Sequence, residues 1–309
     1  MTNMREFTFL SSDGKTQLHG VEWLPEGTPR AILQISHGVS EHIGRYDTFA
    51  RFLNDHDIGV IGHDHLGHGL SVTENGTPIY FGDGNTWQTV VDDIYLLHNR
   101  IRTQYPDTPL LLLGHSMGSF LARTYLIRYP GTVKAAILMG TGWQGGATIA
   151  GGLALGRLIA LKGNDTVSAF VNKVAFGSYF KRIKSPRTPY DWLSVDEENV
   201  DTYVADPHCG QMATVGLFIE MLKGFRFNQK FGNLDKMNGT TPILFLAGEE
   251  DPVADYGAGV RQSYLEFKRS GVGDCTMKLY PGLRHEILSE KSKQAEVFDD
   301  ILHWIEEKL

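Results

Sequence analysis

Between an apolar run, Leu110-Leu111-Leu112-Leu113, and a helix-like stretch, Phe120 to Tyr129, stands the pentapeptide Gly114-His115-Ser116-Met117-Gly118. The run has the length of a buried strand, and the stretch after it has helical spacing. A serine on so sharp a strand-to-helix turn is forced into a strained backbone conformation, and side chains two residues to either side would collide with it. Glycine at 114 and 118 removes that collision. The turn also aims the Met117 N–H and the start of the helix at one point, where a developing negative charge would be held. The plainer reading is a tight turn that merely contains serine. The strand before it and the helix after it argue for the other.

The rest of the chain repeats that alternation. Phe7 to Pro25 reads as a strand hairpin around Ser11-Ser12-Asp13-Gly14-Lys15. Ala31–Ser36, Gly59–Gly62, Ala135–Met139, Ile243–Ala247 and Cys275–Tyr280 read as buried strands. Helical spacing falls on Phe49, Phe52 and Leu53, on Trp87 to Tyr105, near Gly257–Arg269, and on Val297, Phe298, Ile301, Trp304 and Ile305. Strand alternating with helix demands an α/β fold, a mostly parallel sheet covered on both faces. The alternation breaks from about Thr141 to Gly239, where glycine-rich, helical and irregular segments replace buried strands. The reading is therefore a core of 1–141 and 240–309 with residues 142–239 inserted as a cap. Within the cap, Met212, Val215, Ile219 and Leu222 mark an amphipathic helix, and Leu153, Leu155, Leu158, Ile159 and Phe218 suggest an apolar acyl-binding surface, the alternative being that most of them simply pack the cap.

Charge narrows the partners. The net charge is −7 and no basic run is concentrated enough for phosphate recognition, which argues against nucleic acid. Gly145 to Leu161 is apolar but too short and too interrupted for a transmembrane helix. The first residues lack the charged, apolar and small-residue pattern of a signal peptide, and two cysteines, Cys209 and Cys275, imply no disulfide framework. These features predict a cytoplasmic protein. At most the cap would touch lipid transiently. Oligomeric state is not legible.

A nucleophilic serine needs a base to take its proton and an acid to orient that base. Both belong beyond the carboxyl ends of parallel strands. There the chain offers Gly248-Glu249-Glu250-Asp251-Pro252 and Pro281-Gly282-Leu283-Arg284-His285. The order serine, aspartate, histidine fits such a turn followed by its partners in one sheet. Ser116 is the expected nucleophile, His285 the general base and acid, and Asp251 the orienting carboxylate, with Pro252 turning the chain so that Asp251 sits at the loop tip. The loop His37-Gly38-Val39 leaves a strand at the right place to give the Val39 N–H to an oxyanion hole alongside Met117, while His37 reads as a residue bonding the loop backbone. A rival chemistry is the run His63-Asp64-His65-Leu66-Gly67-His68, whose three histidines suit zinc hydrolysis. Against it, residues 63 and 65 would face opposite sides of a continuing strand.

Three blocks now carry a resemblance. They are His37-Gly38-x-x-Glu41-His42-x-x-Arg45-Tyr46, then His63-Asp64-His65-x-Gly67-His68-Gly69-x-Ser71, then the serine pentapeptide. In this order they resemble the monoacylglycerol lipases and the bacterial lysophospholipase-like esterases of the α/β-hydrolase superfamily. The likeness covers roughly residues 20–142 and 240–309. It implies serine ester hydrolysis of a monoacylglycerol, lysophospholipid or smaller ester, with no metal and no organic cofactor. It also implies that Glu41 and Arg45 lie in a polar patch for the alcohol end of the substrate; the alternative is an i, i+4 ion pair on an exposed helix start. Members can carry a second histidine three residues after the catalytic one, and here that residue is Leu288. An aminopeptidase or amidase on the same fold is the runner-up, and it would need a carboxylate for a substrate amine, for which Glu220, Glu197 and Glu198 are the available residues.

Overall fold

The computed structural model describes residues 3–309. Its first two strands, β1 (Asn3–Leu10) and β2 (Gln17–Leu24), form the expected antiparallel hairpin. The Asp13 carboxylate closes the turn by accepting the Lys15 and Thr16 N–H groups, each at 2.8 Å. There follow β3 (Ala31–Ser36), α1 (Asp47–Asn54), β4 (Ile58–His63), α2 (Thr86–Gln104), β5 (Leu110–His115), α3 (Met117–Arg128) and β6 (Ala135–Met139). Residues 140–242 then carry α4 (Gly146–Ile159), α5 (Ala169–Phe176), α6 (Glu197–Ala205), α7 (Val215–Asn228) and α8 (Phe231–Leu234). The chain closes with β7 (Ile243–Gly248), α9 (Ala258–Arg269), β8 (Cys275–Tyr280) and α10 (Gln294–Lys308).

The eight strands make one sheet in the order β1-β2-β4-β3-β5-β6-β7-β8. From β4 through β8 every pairing is parallel, and the hairpin joins antiparallel. This is the α/β architecture the alternation demands. Side chains along the central strands divide between two cores because successive residues face opposite sides. Leu111, Leu113, Ile137 and Met139 pack with Phe49 and Leu53 of α1 and Val297, Ile301 and Trp304 of α10. Leu112, Ala136, Leu138 and Phe245 face α2, α3 and α9 on the other side. That double cover is why β3, β5 and β6 are buried at every position and read in the sequence as mostly apolar runs, with Gln34 and Ser36 in β3 and His115 at the end of β5 as buried polar exceptions.

β6 and β7 are hydrogen-bonded neighbours, so everything between them leaves the sheet and returns to its next strand. In this excursion α4 and α7 pack together and α7 lies across α2 and α3. Gly224 allows that crossing, since a Cβ there would be driven into the Trp87 ring. One expectation shifts here. The α7 helix begins at Val215, after Thr214 caps it by accepting the Leu217 N–H, so Met212 lies outside it and is exposed. Among the described residues, no helix is long and apolar enough to cross a membrane.

Candidate active site

Ser116 joins β5 to α3 with φ +52 and ψ −122, a backbone region that a residue with a side chain seldom adopts. The neighbouring glycines explain how the turn closes. A Cβ on Gly118 would be driven into the Ser36 carbonyl oxygen, and one on Gly114 into the Gly118 carbonyl. The turn is pinned from both ends: the Ser116 N–H donates to the Met139 carbonyl at 2.9 Å, and the Ser119 hydroxyl donates to the Ser116 carbonyl at 2.6 Å.

The loops after β7 and β8 bring two more predicted residues to the same place. His285 Nδ1 lies 2.8 Å from Asp251 Oδ2, and the other Asp251 oxygen accepts the Val253 N–H at 2.8 Å. Asp251 is fully buried, whereas Glu249 and Glu250 are exposed. His285 is buried too, wedged between the His115 ring at 4.8 Å and the Trp192 ring at 5.3 Å, and among the described residues its Nε2 has no hydrogen-bond partner. Ser116, His285, Gly38 and Val39 line one cavity of about 390 Å³. Gly38 packs so close to the serine that a Cβ there would sit 3.1 Å from Ser116 Cβ. Met117 opens α3, so its N–H has no acceptor within the helix.

Glu41 and Arg45 are brought together, but not on an exposed helix start. Both belong to a buried polar cluster beside the serine. Glu41 Oε1 accepts the Gly38 N–H at 2.5 Å and the Tyr46 hydroxyl at 3.1 Å, and lies 2.9 Å from His115 Nδ1. Its second oxygen takes Arg45 Nη1 at 3.0 Å. Burial alone would raise the Glu41 pKa, yet His115, Arg45 and these donors hold it well below the usual carboxylate range. For His115, burial works against the charged ring, but the Glu41 carboxylate more than offsets it and raises the pKa. Arg45 is gripped again, in bidentate fashion, by Glu286 at 2.6 and 2.9 Å, and Asn199 donates to the same carboxylate at 2.8 Å.

Sequence reasoning missed both Glu286 and His115. The first adjoins the predicted base and the second the predicted nucleophile, so adjacency was the available signal. Glu41, His115 and Glu286 also line a second cavity of about 380 Å³ that includes Arg45, Asn199 and Leu288. A larger cavity of about 800 Å³, between α2, α3 and α7, contains none of these residues.

Other expectations are corrected. The apolar residues proposed to bind an acyl chain do not line the serine cavity: Leu153 and Phe218 are core, and Leu158 is exposed. Aromatic residues Phe176, Phe180, Tyr190 and Trp192 line it instead. His63 ends β4, so strand alternation does not extend to His65, and the two rings meet edge to face at 5.0 Å. Their nitrogens still do not converge on one point. His65 Nε2 lies 3.0 Å from Ser36 Oγ, and His68 Nδ1 donates to the Leu66 carbonyl at 2.9 Å. Burial pushes His63 and His68 down to about 3, which keeps both neutral. His37 bonds the loop as read, with Nδ1 2.7 Å from the Gly38 carbonyl and Nε2 accepting the His65 N–H.

A family model described as serine aminopeptidase, S33, matches residues 27–292. A monoacylglycerol lipase of Mycolicibacterium smegmatis is 30% identical over 310 residues, 97% of this chain and 96% of the relative. The chain belongs to the monoacylglycerol lipase-like family of α/β-hydrolases. A monoglyceride lipase of Rattus norvegicus, 31% identical over 92% of this chain and 83% of its own, is a second relative. Among solved structures, a thermostable carboxyl esterase from Bacillus coagulans in complex with glycerol superposes with a TM-score of 0.92 at 28% identity, covering 99% of both chains. A lipase in open form gives 0.88 at 26% identity, again over 99% of each chain. The α/β-hydrolase fold and the enzyme class, a hydrolase, follow from membership.

Proposed function

We propose that this α/β-hydrolase cleaves carboxylic esters of the monoacylglycerol class through an acyl-enzyme on Ser116, with His285 and Asp251 completing the triad. The observation that carries the reading is one cavity lined both by a serine at φ +52 and by a buried histidine already paired to a buried aspartate. Asp251 keeps the proton on Nδ1 and leaves Nε2 to accept one. Ser116 gives its proton to Nε2 and attacks the ester carbonyl, and the oxyanion collects the N–H groups of Val39 and Met117. His285 then returns that proton to the leaving alcohol. Water, deprotonated by the same nitrogen, releases the acid and restores Ser116.

Residues 142–239 act as the cap. Its aromatic lining supplies the acyl pocket, and the polar chamber around Glu41, Arg45 and Glu286 receives the alcohol, with Glu41 also anchoring the oxyanion loop through Gly38. Exposed apolar residues on the cap, Leu158, Leu161, Phe170 and Val174, give it a surface for transient lipid contact. Two free cysteines fit a reducing, cytoplasmic setting. The aminopeptidase reading lacks a carboxylate for the substrate amine. Glu220 is spent on the Trp87 N–H and on Lys223, Glu41 and Glu286 are held by Arg45, and Glu197 and Glu198 are exposed.

The test runs wild type and Ser116→Ala on short- to long-chain nitrophenyl esters, 1-monoacylglycerol, lysophosphatidylcholine and an aminoacyl anilide, with and without chelator. Ester turnover that vanishes with Ser116 and ignores chelator is expected, with monoacylglycerol preferred over the anilide. Turnover that survives Ser116→Ala would overturn the proposal.

A further inference from the structure

Outside the serine centre, the structure gathers three metal-binding side chains from distant parts of the chain. His42 follows the loop of Gly38 and Val39; Asp206 and Cys209 sit in the connector between α6 and α7. One donor atom from each lies within 4.8 Å of the other two, and His42 Nε2 is 2.8 Å from Asp206 Oδ2. We propose that His42, Asp206 and Cys209 form a site for a thiophilic divalent cation, zinc being the type, that ties the α6–α7 connector to the oxyanion loop.

The donor set fits the ion. Imidazole, carboxylate and thiolate suit zinc, which takes four ligands in a tetrahedron and tolerates water in one position. Zinc–ligand bonds of about 2.0–2.3 Å put tetrahedral donors roughly 3.3–3.8 Å apart, so donors already within 4.8 Å of one another need to close by no more than about 1.5 Å. Asp206 is already oriented, because its Oδ1 accepts the His208 N–H at 2.8 Å while Oδ2 faces His42. The His208 ring stands 5.9 Å from that of His42, a second imidazole beside the fourth position. His42 and Asp206 are half-buried, which leaves an entry path, and Cys209 closes the inner side. Arg45, the nearby cation that would oppose a metal, is occupied by Glu41 and Glu286. Burial pushes the Cys209 thiol up, so the uncomplexed cysteine is unreactive. Binding is a proton exchange: the Sγ–H bond breaks and its proton leaves to solvent, His42 loses its Nε2 proton and takes one on Nδ1, and the thiolate and Nε2 lone pairs form the bonds to the metal.

The position gives the site its consequence. The connector already touches the loop at Ser40, whose carbonyl accepts the Gly210 N–H at 3.0 Å and the Tyr203 hydroxyl at 2.8 Å, and whose hydroxyl donates to the Gln211 carbonyl at 2.7 Å. A metal one residue beyond Glu41 would turn that polar seam into a cross-link. The consequence is restraint of the loop rather than a catalytic step, so it leaves the chelator-independence of ester turnover as it is, and the metal site stands without the role given to Val39 above.

The experiment uses the full chain, stripped with chelator, then titrated with zinc and separately with cobalt. Wild type should bind one zinc per chain, and its cobalt form should show a thiolate-to-cobalt charge-transfer band. Cys209→Ser should weaken zinc at least 10-fold and abolish the band, Asp206→Asn should weaken zinc, and Cys275→Ser, which changes the other free cysteine, should do neither. Thermal unfolding without metal checks that each variant folds. Zinc should also slow amide exchange over residues 39–42 and 206–211 in wild type but not in Cys209→Ser. Zinc affinity unchanged by Cys209→Ser, or a wild-type cobalt form without the band, overturns the proposal, whatever the esterase assays give.

Discussion

Arg45 bridges two buried carboxylates, Glu41 and Glu286, and replacing it with methionine isolates what that bridge contributes. Three short contacts are lost, one to Glu41 at 3.0 Å and two to Glu286 at 2.6 and 2.9 Å. The two acids do not suffer equally. Glu41 keeps the Gly38 N–H, Tyr46 and His115, whereas among the described residues Glu286 keeps only Asn199. Removing one partner from a buried pair costs about 3–5 kcal/mol, chiefly from the charge left behind. We therefore expect Arg45→Met to lose about 3–5 kcal/mol in urea unfolding, and Arg45→Met/Glu286→Gln to recover more than about half of it. The sign with pH follows. Burial alone raises the Glu286 pKa, and Arg45 reverses that and lowers it. Without Arg45 the raised carboxyl carries a penalty above its unfolded pKa that protonation relieves, so the gap between wild type and Arg45→Met should narrow from pH 7 to pH 5. A loss under about 1 kcal/mol, or a double variant that simply sums the singles, would refute the reasoning.

Three further predictions are independent of it. Asp251→Asn removes the acceptor that fixes the His285 tautomer and should lower kcat by about 10⁴-fold with the fold intact, measured on a soluble nitrophenyl ester. Gly118→Ala should cost more than about 4 kcal/mol or prevent folding, because its Cβ meets the fixed Ser36 carbonyl rather than a movable side chain; soluble expression and the unfolding midpoint test this. Asp93, buried and accepting from Ser11 and Ser12, is pushed up to about 6 by burial. Its folded state holds a proton that the unfolded chain releases nearer 3.8, so stability falls as pH rises between those values. Asp93→Asn should gain about 3 kcal/mol at pH 8 and nothing below pH 4, read from urea midpoints.

What could be read in advance depended on whether the cause was local. Leu110–Leu113 announced β5 because a strand covered on both faces has no polar positions to interrupt it. The elbow is legible because its residues lie within one pentapeptide, although only Gly114 answers a clash inside it, Gly118 giving way to the distant Ser36 carbonyl. The start of α3 was read at Phe120 and lies at Met117, since glycine and serine in the first turn read as loop although the helix has begun. The greasy stripe of α4 reads equally as acyl surface and as cap packing because spacing reports that a face is buried, not what buries it. Leu153 turns into the core, while the aromatic lining comes from 176–192, where lysine, proline and arginine turns hid it.

Glu286 and His115 were out of reach for a further reason. Each owes its role to a partner far away in the chain, Arg45 being 241 residues from Glu286 and Glu41 being 74 from His115. A charged residue beside a histidine, or a histidine beside a serine, has no pattern that distinguishes a buried pair from a solvated side chain. Topology does distinguish them. Since β3, β5 and β8 each end at the same edge of the sheet, whatever follows each strand must meet the others there. Glu41 comes after β3, His115 ends β5 and Glu286 comes after β8, and burial at that meeting point obliges the acids to find cations. The polar cluster beside the serine is therefore a consequence of strand order, and the residues to examine first are those that flank each predicted catalytic group at the carboxyl edge.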